Sequence, residues 1–309
     1  LHLVALVFAA ASPALVRASA MYHPETLAVA LATGGVLVAA RALRTRWTLS
    51  SAVAGGGLLG LACLTRAWSL PVLVAVLVLA ALDARSTRRF APVAVYTVVA
   101  VGLLAPWLVN QQLAHGSAFA FNRPPPAEPV LERRPASFYL GPRSLRALEH
   151  PITPLFRNEL VPHLYADWWG DWALTWDSPP PPAPAALLPS GVVSERARQT
   201  VVGVVPSVLA LAGLIALGVL AGARRSTSLA LLPLSAAAVV TAYVVFAVRY
   251  PSPDGDTIKA TYLLMALPAA AVAASFLIDA LRPRRPAWAV AGVVALCALV
   301  AAQLPFLVL

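Results

Sequence analysis

Charge is what this chain has least of. Only 12% of its 309 residues are Asp, Glu, Lys or Arg, against roughly 25% in soluble domains, and the mean hydropathy is +0.77. That excludes an ordinary soluble globular protein. Cysteine is nearly missing too: Cys63 and Cys297 each lie inside an apolar run and form no CxxC or Cys/His spacing, which removes disulfide, thiol and structural-zinc chemistry. Lysine occurs once, at Lys259, beside 22 Arg. Proline is abundant, but it concentrates in two loop stretches while the remainder is Leu, Val and Ala in long runs, a pattern that disordered chains lack. The composition is that of a polytopic membrane protein.

About 20 apolar residues carry a helix across a hydrocarbon core, and nine segments approach that length: 1–16, 24–40, 50–65, 68–82, 91–110, 200–222, 228–248, 260–280 and 287–309. The expected fold is therefore an all-α polytopic membrane protein of about nine transmembrane helices with one large extracytoplasmic loop. Five helices fall in 1–110, the Pro/Trp-rich loop in 111–199 and four helices in 200–309. The third and fourth segments are short, and their small residues, among them Gly55, Gly56, Gly57 and Gly60, suit close packing; they are expected to form one tight helical hairpin. Because Leu1 begins inside an apolar run, the chain reads as a piece with an even number of crossings before it.

The net charge of +10 invites nucleic acid as a partner, but its distribution argues otherwise. Arg41, Arg44, Arg46, Arg85, Arg88, Arg89, Arg224, Arg225, Arg282, Arg284 and Arg285 occupy alternate connections, with only Asp83 and Asp279 against them. Those connections carry nine of the ten net charges, as the positive-inside rule requires of cytoplasmic loops. The long 111–199 segment holds eight Arg and eight acids and is neutral. The excess is a topology signal, and nucleic acid drops out as a partner.

Four constellations could carry chemistry, all on the outer side. In 161–177, half of the eight Trp fall within nine residues. A helix there would set Asp167 and Asp171 at i,i+4 on one face, with Trp168, Trp172 and Trp176 along another. Carboxylates and indole faces, with Tyr165, suit a sugar, although Trp and Tyr also gather at membrane interfaces as plain anchors. The second constellation runs from Arg17 to Glu25, where Pro24 and Glu25 fit the first turn of a helix and His23 with Glu25 could face an outer pocket. The third ends in Arg66, placed either to snorkel or to hold a lipid phosphate bidentately. The fourth, 254–262, holds the solitary Lys259, a point-charge partner for phosphate unless Asp254 or Asp256 pairs with it.

Taken in order, these pieces resemble the GT-C class of polyprenyl-phosphate-sugar-dependent glycosyltransferases, the group of protein O-mannosyltransferases and aminoarabinose transferases. Arg17 to Ala30 resembles the segment where an acidic residue opens the family's fourth helix, with Glu25 in the acidic place. Gly60-Leu61-x-x-Leu64-Thr65-Arg66 is similar to its G-L-x-x-L-T-K/R element. Lys259 to Pro268 is similar to its R-Y-L-L-x-x-x-P start of a late helix, and Tyr165 to Trp172 resembles a Y-x-D-x-W-G-D-Y stretch of actinobacterial members. The resemblance implies inverting transfer of a sugar from a polyprenyl-phosphate carrier to a glycan, lipid or protein acceptor on the extracytoplasmic face of a bacterial plasma membrane.

Under that resemblance Arg66 and Lys259 bind the donor phosphate. Glu25, Asp167 and Asp171 bind acceptor or sugar, or ligate a divalent cation, and His23, Tyr165, Trp168 and Trp172 line the sugar or acceptor. The family's acidic pair in its first outer loop has no counterpart here, so the principal base is expected ahead of Leu1 and the 309-residue piece alone is expected to be inactive. The competing reading is a transporter or flippase for a lipid-linked or small substrate. It would call for ionisable residues within the spans, whereas almost every charge sits at a segment end.

Overall fold

The computed structural model describes residues 2–20, 23–118, 136–140, 145, 148, 159–170, 190–249 and 259–307. Among these residues every regular element is helical. The helices are α1 (His2–Ala10), α2 (Pro13–Ala20), α3 (Pro24–Arg44), α4 (Leu49–Thr65), α5 (Leu70–Thr87), α6 (Ala91–His115), α7 (Ala136–Leu140), α8 (Leu160–Trp169), α9 (Ser190–Arg224), α10 (Thr227–Arg249), α11 (Leu267–Leu281) and α12 (Pro286–Leu307). Two 3₁₀ turns, Ala67–Ser69 and Ala260–Ala266, lead into α5 and α11. Among the described residues six stretches are long and apolar enough to cross a membrane: Pro24–Arg44, Ala67–Thr87, Ala91–His115, Ala197–Arg224, Thr227–Val248 and Ala260–Leu281. A multi-pass, all-α membrane protein follows from these lengths.

The expected count of nine divides differently. Segments 50–65 and 287–309 are helical, but their described apolar helices, Leu49–Thr65 and Pro286–Ala302, are shorter than the other six. Segment 1–16 is two helices bent by 68° around Ala11 and Ser12. Pro13 causes the break, because it supplies no N–H and disfavours helical backbone at the residue before it. Segment 260–280 starts with seven residues of 3₁₀ helix, and Pro268, at the start of α11, cannot donate the α-helical bond back to Leu264.

Local chemistry accounts for the ends. Thr48 caps α4 through a reciprocal box, its hydroxyl accepting from Ser51 N–H at 3.1 Å while the Ser51 hydroxyl accepts from Thr48 N–H at 2.9 Å. Gly116 ends α6 at φ +70°, the left-handed region that costs glycine nothing. Pro24, Pro71, Pro92 and Pro268 all sit in first turns, where a missing N–H is harmless.

Packing departs from the expected hairpin of α4 and α5. Helix α4 lies mainly against α3 and α6, while α5 packs chiefly on α10. The glycines explain the first choice: a Cβ on Gly56 would stand 2.6 Å from the Tyr96 carbonyl oxygen of α6, and one on Gly60 would stand 3.2 Å from Ala100 Cα. Small residues let two backbones meet where lipid supplies no hydrophobic drive for association. Helix α1 packs on α11 and α12, and the principal core runs from Phe8 through Leu59 and Tyr96 to Leu264 and Leu296. The helices of 1–110 and those of 200–309 thus share one interior.

The tightest approach joins α9 to α11, where a Cβ on Gly213 would fall 2.1 Å from the Ala273 carbonyl oxygen. Gly213→Ala is expected to lower stability by about 1–3 kcal/mol, the usual range for overpacking. Gly218→Ala, on the same helix with its nearest neighbour at 3.9 Å, is expected to be neutral or to gain up to about 1 kcal/mol from helix propensity. Thermal unfolding of both variants in detergent checks the pair.

Candidate functional site

Two ionic groups occupy the end of the bundle opposite the arginine-rich connections. The first joins α2 to α8. Arg17 donates from Nη1 and Nη2 to Asp167 Oδ1 at 3.2 and 3.1 Å, and from Nη2 to the Asp167 backbone carbonyl at 3.2 Å. That carbonyl belongs to the last turn of α8, so the guanidinium binds the helix end as well as neutralising the carboxylate. Asp167 Oδ2 accepts from the backbone N–H of Ala260. Arg17 is 3% exposed and Asp167 2%. A single buried carboxylate therefore ties α2, α8 and the 260–266 turn together.

The second group joins α3 to α4. Glu25, fully buried, sits in the first turn of α3 behind Pro24, where the helix dipole favours its negative charge. Its Oε1 lies 2.6 Å from Arg66 Nη2 and its Oε2 contacts His23 Nδ1. Arg66 is the C-cap of α4, in extended backbone, so the chain turns there and sends its side chain back towards α3. Its side chain keeps 33% of its surface open.

An aromatic plate spans the two groups. Trp68, two residues after Arg66, stacks on Tyr262, three residues after Lys259, with centroids 4.9 Å apart and planes 22° from parallel. Phe246 meets both edge-on, at 5.1 Å from Trp68 and 5.6 Å from Tyr262. The Ser69 hydroxyl donates to Met265 Sδ at 3.3 Å, a second link between the same turns. Lys259, half-buried, precedes the 260–266 turn, directly beside the residue that donates to Asp167.

Sequence-predicted residues are thus partly brought together. His23, Glu25 and Arg66 form one connected cluster, and Asp167 and Lys259 meet at the 260–266 turn, which also contacts α3. Tyr165 turns to structure: its hydroxyl donates to the Thr200 carbonyl at 2.5 Å, and burial pushes its phenol above the ordinary range. Trp168 lines an apolar cavity of about 280 Å³ with Phe8, Leu164, Trp169 and Leu263. The Trp169 indole N–H donates to Ser207 Oγ at 2.9 Å, and Gly203 leaves it room. Helix α8 closes at Gly170, where Gly170 N–H bonds the Ala166 carbonyl. Asp171, Trp172, Trp176 and Asp177 lie outside the described residues, and the expected Asp167–Asp171 face with them.

The sequence gives Arg17 no evident role, although it opens the Arg17–Glu25 stretch. An arginine within an apolar stretch, with acids elsewhere on the same side, was the available signal, since a buried charge needs a partner. For a divalent cation the described donors fit poorly: the Glu25 carboxylate faces a guanidinium and an imidazole, and that of Asp167 faces a guanidinium and an amide N–H. No cluster of three His, Cys, Asp or Glu occurs among the described residues.

Breaking a buried pair strands a charge, at about 3–5 kcal/mol, whereas replacing both partners by apolar groups is often neutral. Asp167→Ala is therefore expected to lower thermal stability by that amount, and the double change Arg17→Met with Asp167→Leu to recover most of it. Unfolding scans of the two variants, read side by side, check this. Comparison with protein-family models, with curated proteins and with solved structures gave no match.

Proposed function

We propose that this protein is a membrane glycosyltransferase that moves a sugar from a polyprenyl-phosphate carrier to a glycan, lipid or protein acceptor at the outer face of a bacterial plasma membrane. The observation that carries the reading is the convergence of Arg66, Lys259 and the Trp68–Tyr262 plate at the end of the bundle away from the arginine-rich connections. A glycosyl phosphate leaves as a phosphate, so transfer needs cations placed where that negative charge develops. Arg66 supplies a forked donor set, held in place by Glu25 at 2.6 Å with a third of its side chain open. Lys259 adds a compact second charge.

On this reading the remaining residues divide by task. Glu25 and His23 orient Arg66, and Asp167 positions the 260–266 turn that carries Lys259, with Arg17 keeping its charge balanced. The apolar cavity beside Trp168 and Leu263 offers the carrier's hydrocarbon chain a wall next to that turn. Trp68 and Tyr262 present ring surface of the kind that packs on the C–H face of a sugar. Transfer proceeds with inversion when the acceptor hydroxyl attacks the anomeric carbon from the side opposite the leaving phosphate, losing its proton to a general base.

The test is transfer of radiolabelled sugar from a panel of polyprenyl-phosphate donors in membranes containing the full-length protein. Arg66→Ala and Lys259→Ala are each expected to lower turnover by about 10²–10³, as the loss of one charge-stabilising donor does, with both variants still folded. Asp171→Asn in the same assay tests the Trp-rich loop. Wild-type protein that is folded yet transfers from no donor would overturn the reading and favour a transporter of lipid-linked substrates.

A further inference from the structure

At the opposite, arginine-rich end a second cavity, of about 340 Å³, opens between the α3–α4 and α5–α6 connections. Its wall mixes charges of both signs: Arg46 follows α3, Arg89 follows α5, and Asp83 lies on the last turns of α5. These charges do not close on one another. Among the described residues neither Arg46 nor Arg89 forms an ion pair with Asp83 and the Asp83 carboxylate takes no hydrogen bond, while its backbone carbonyl accepts from the hydroxyls of Ser86 and Thr87 at 2.8 and 2.9 Å.

Trp47 completes the wall. It is 5% exposed, and its Nε1–H is buried without an acceptor, while its ring packs edge-on against Tyr96 at 5.9 Å. A buried N–H without an acceptor costs about 1–3 kcal/mol, so the polar side of this wall is not satisfied within the described residues. Thr45 and Thr87 add hydroxyl oxygens at its edge.

The charge pattern selects the ligand. A plain anion would meet two guanidiniums but also an unpaired carboxylate, and a plain cation would meet the reverse. A zwitterion whose phosphate and ammonium are joined by a short link satisfies both. A primary ammonium also donates hydrogen bonds to a carboxylate, which a quaternary one lacks the N–H to do. The ends of spanning helices, where Arg46, Asp83 and Arg89 lie, are where lipid headgroups sit. Arginines that merely snorkel need neither a cavity nor an acid within it.

We infer that the cavity formed by Arg46, Trp47, Asp83 and Arg89 binds the headgroup of an ethanolamine phospholipid, the phosphate on the two arginines and the ammonium on Asp83. The site stands apart from the outer cluster and does not depend on the proposed transfer reaction.

Native mass spectrometry of the purified protein in detergent, titrated with phosphatidylethanolamine, phosphatidylglycerol and phosphatidylcholine of matched chains, tests the assignment. The ethanolamine lipid is expected to bind about tenfold more tightly than either of the others, a difference of about 1.4 kcal/mol. Asp83→Asn should abolish its advantage over phosphatidylglycerol, and the double change Arg46→Ala with Arg89→Ala should weaken both lipids. All three side chains reach the protein surface, so the variants should fold, and elution as wild type on size exclusion checks that they do. Soluble O-phosphoethanolamine should displace the lipid at higher concentration, and inorganic phosphate should not. Equal affinity for the three lipids, an unchanged preference in Asp83→Asn, displacement by inorganic phosphate, or tighter binding of O-phosphoethanolamine than of the lipid would each overturn the inference.

Discussion

Three segments far apart in the chain depend on one carboxylate. Asp167 receives a guanidinium from α2 on one oxygen and a backbone N–H from the 260–266 turn on the other. Taking both charges out of water costs several kcal/mol per ion, and in return both carboxylate oxygens of Asp167 are hydrogen-bonded. What it provides is register, because α2, α8 and the turn before α11 each supply a group to the same contact. Since the turn carries Lys259 and Tyr262, and Tyr262 stacks on Trp68 next to Arg66, that contact is linked to the turn that follows Arg66, while Arg66 itself is held by Glu25.

The two ends of the bundle handle charge in opposite ways. At the Asp167 end, Arg17, Glu25 and Asp167 are buried and each faces a counter-charge. At the other end the arginines are exposed and act on the surroundings, and the shared cavity of Arg46 and Arg89 puts two of the arginine-rich connections side by side, as alternation along the sequence requires. Asp83 lies there too, an acid that forms no ion pair with those arginines among the described residues. An electrostatic contrast of this kind is what orients a membrane protein.

Much of the fold was legible in the residues because lipid imposes a simple rule: backbone polar groups must be satisfied within each segment, so long apolar runs become helices. The nine expected segments are helical in their described parts, apart from the break at Ala11 and Ser12 in the first. What the runs did not disclose was where they break and what they pack on. Pro13 splits the first, and α4 leaves its neighbour α5 for α3 and α6 because Gly56 and Gly60 allow contact with the α6 backbone that a Cβ would block. Apolar runs look alike as partners, and the choice among them is made by local surface shape.

The candidate site divides along the same line. Sequence alone determined that this is a multi-pass helical protein, that its arginines gather in alternate connections, and that Glu25, Arg66, Asp167 and Lys259 stand apart from that excess, since hydropathy and charge are properties of single residues and short windows. Tertiary structure decided that Asp167 belongs to Arg17, 150 positions away, that Glu25 holds both His23 and Arg66, and that Tyr165 is committed to the Thr200 carbonyl. The physical reason is that a buried charge or hydroxyl must find a partner, and which partner lies within hydrogen-bond reach is set by helix packing rather than by spacing along the chain.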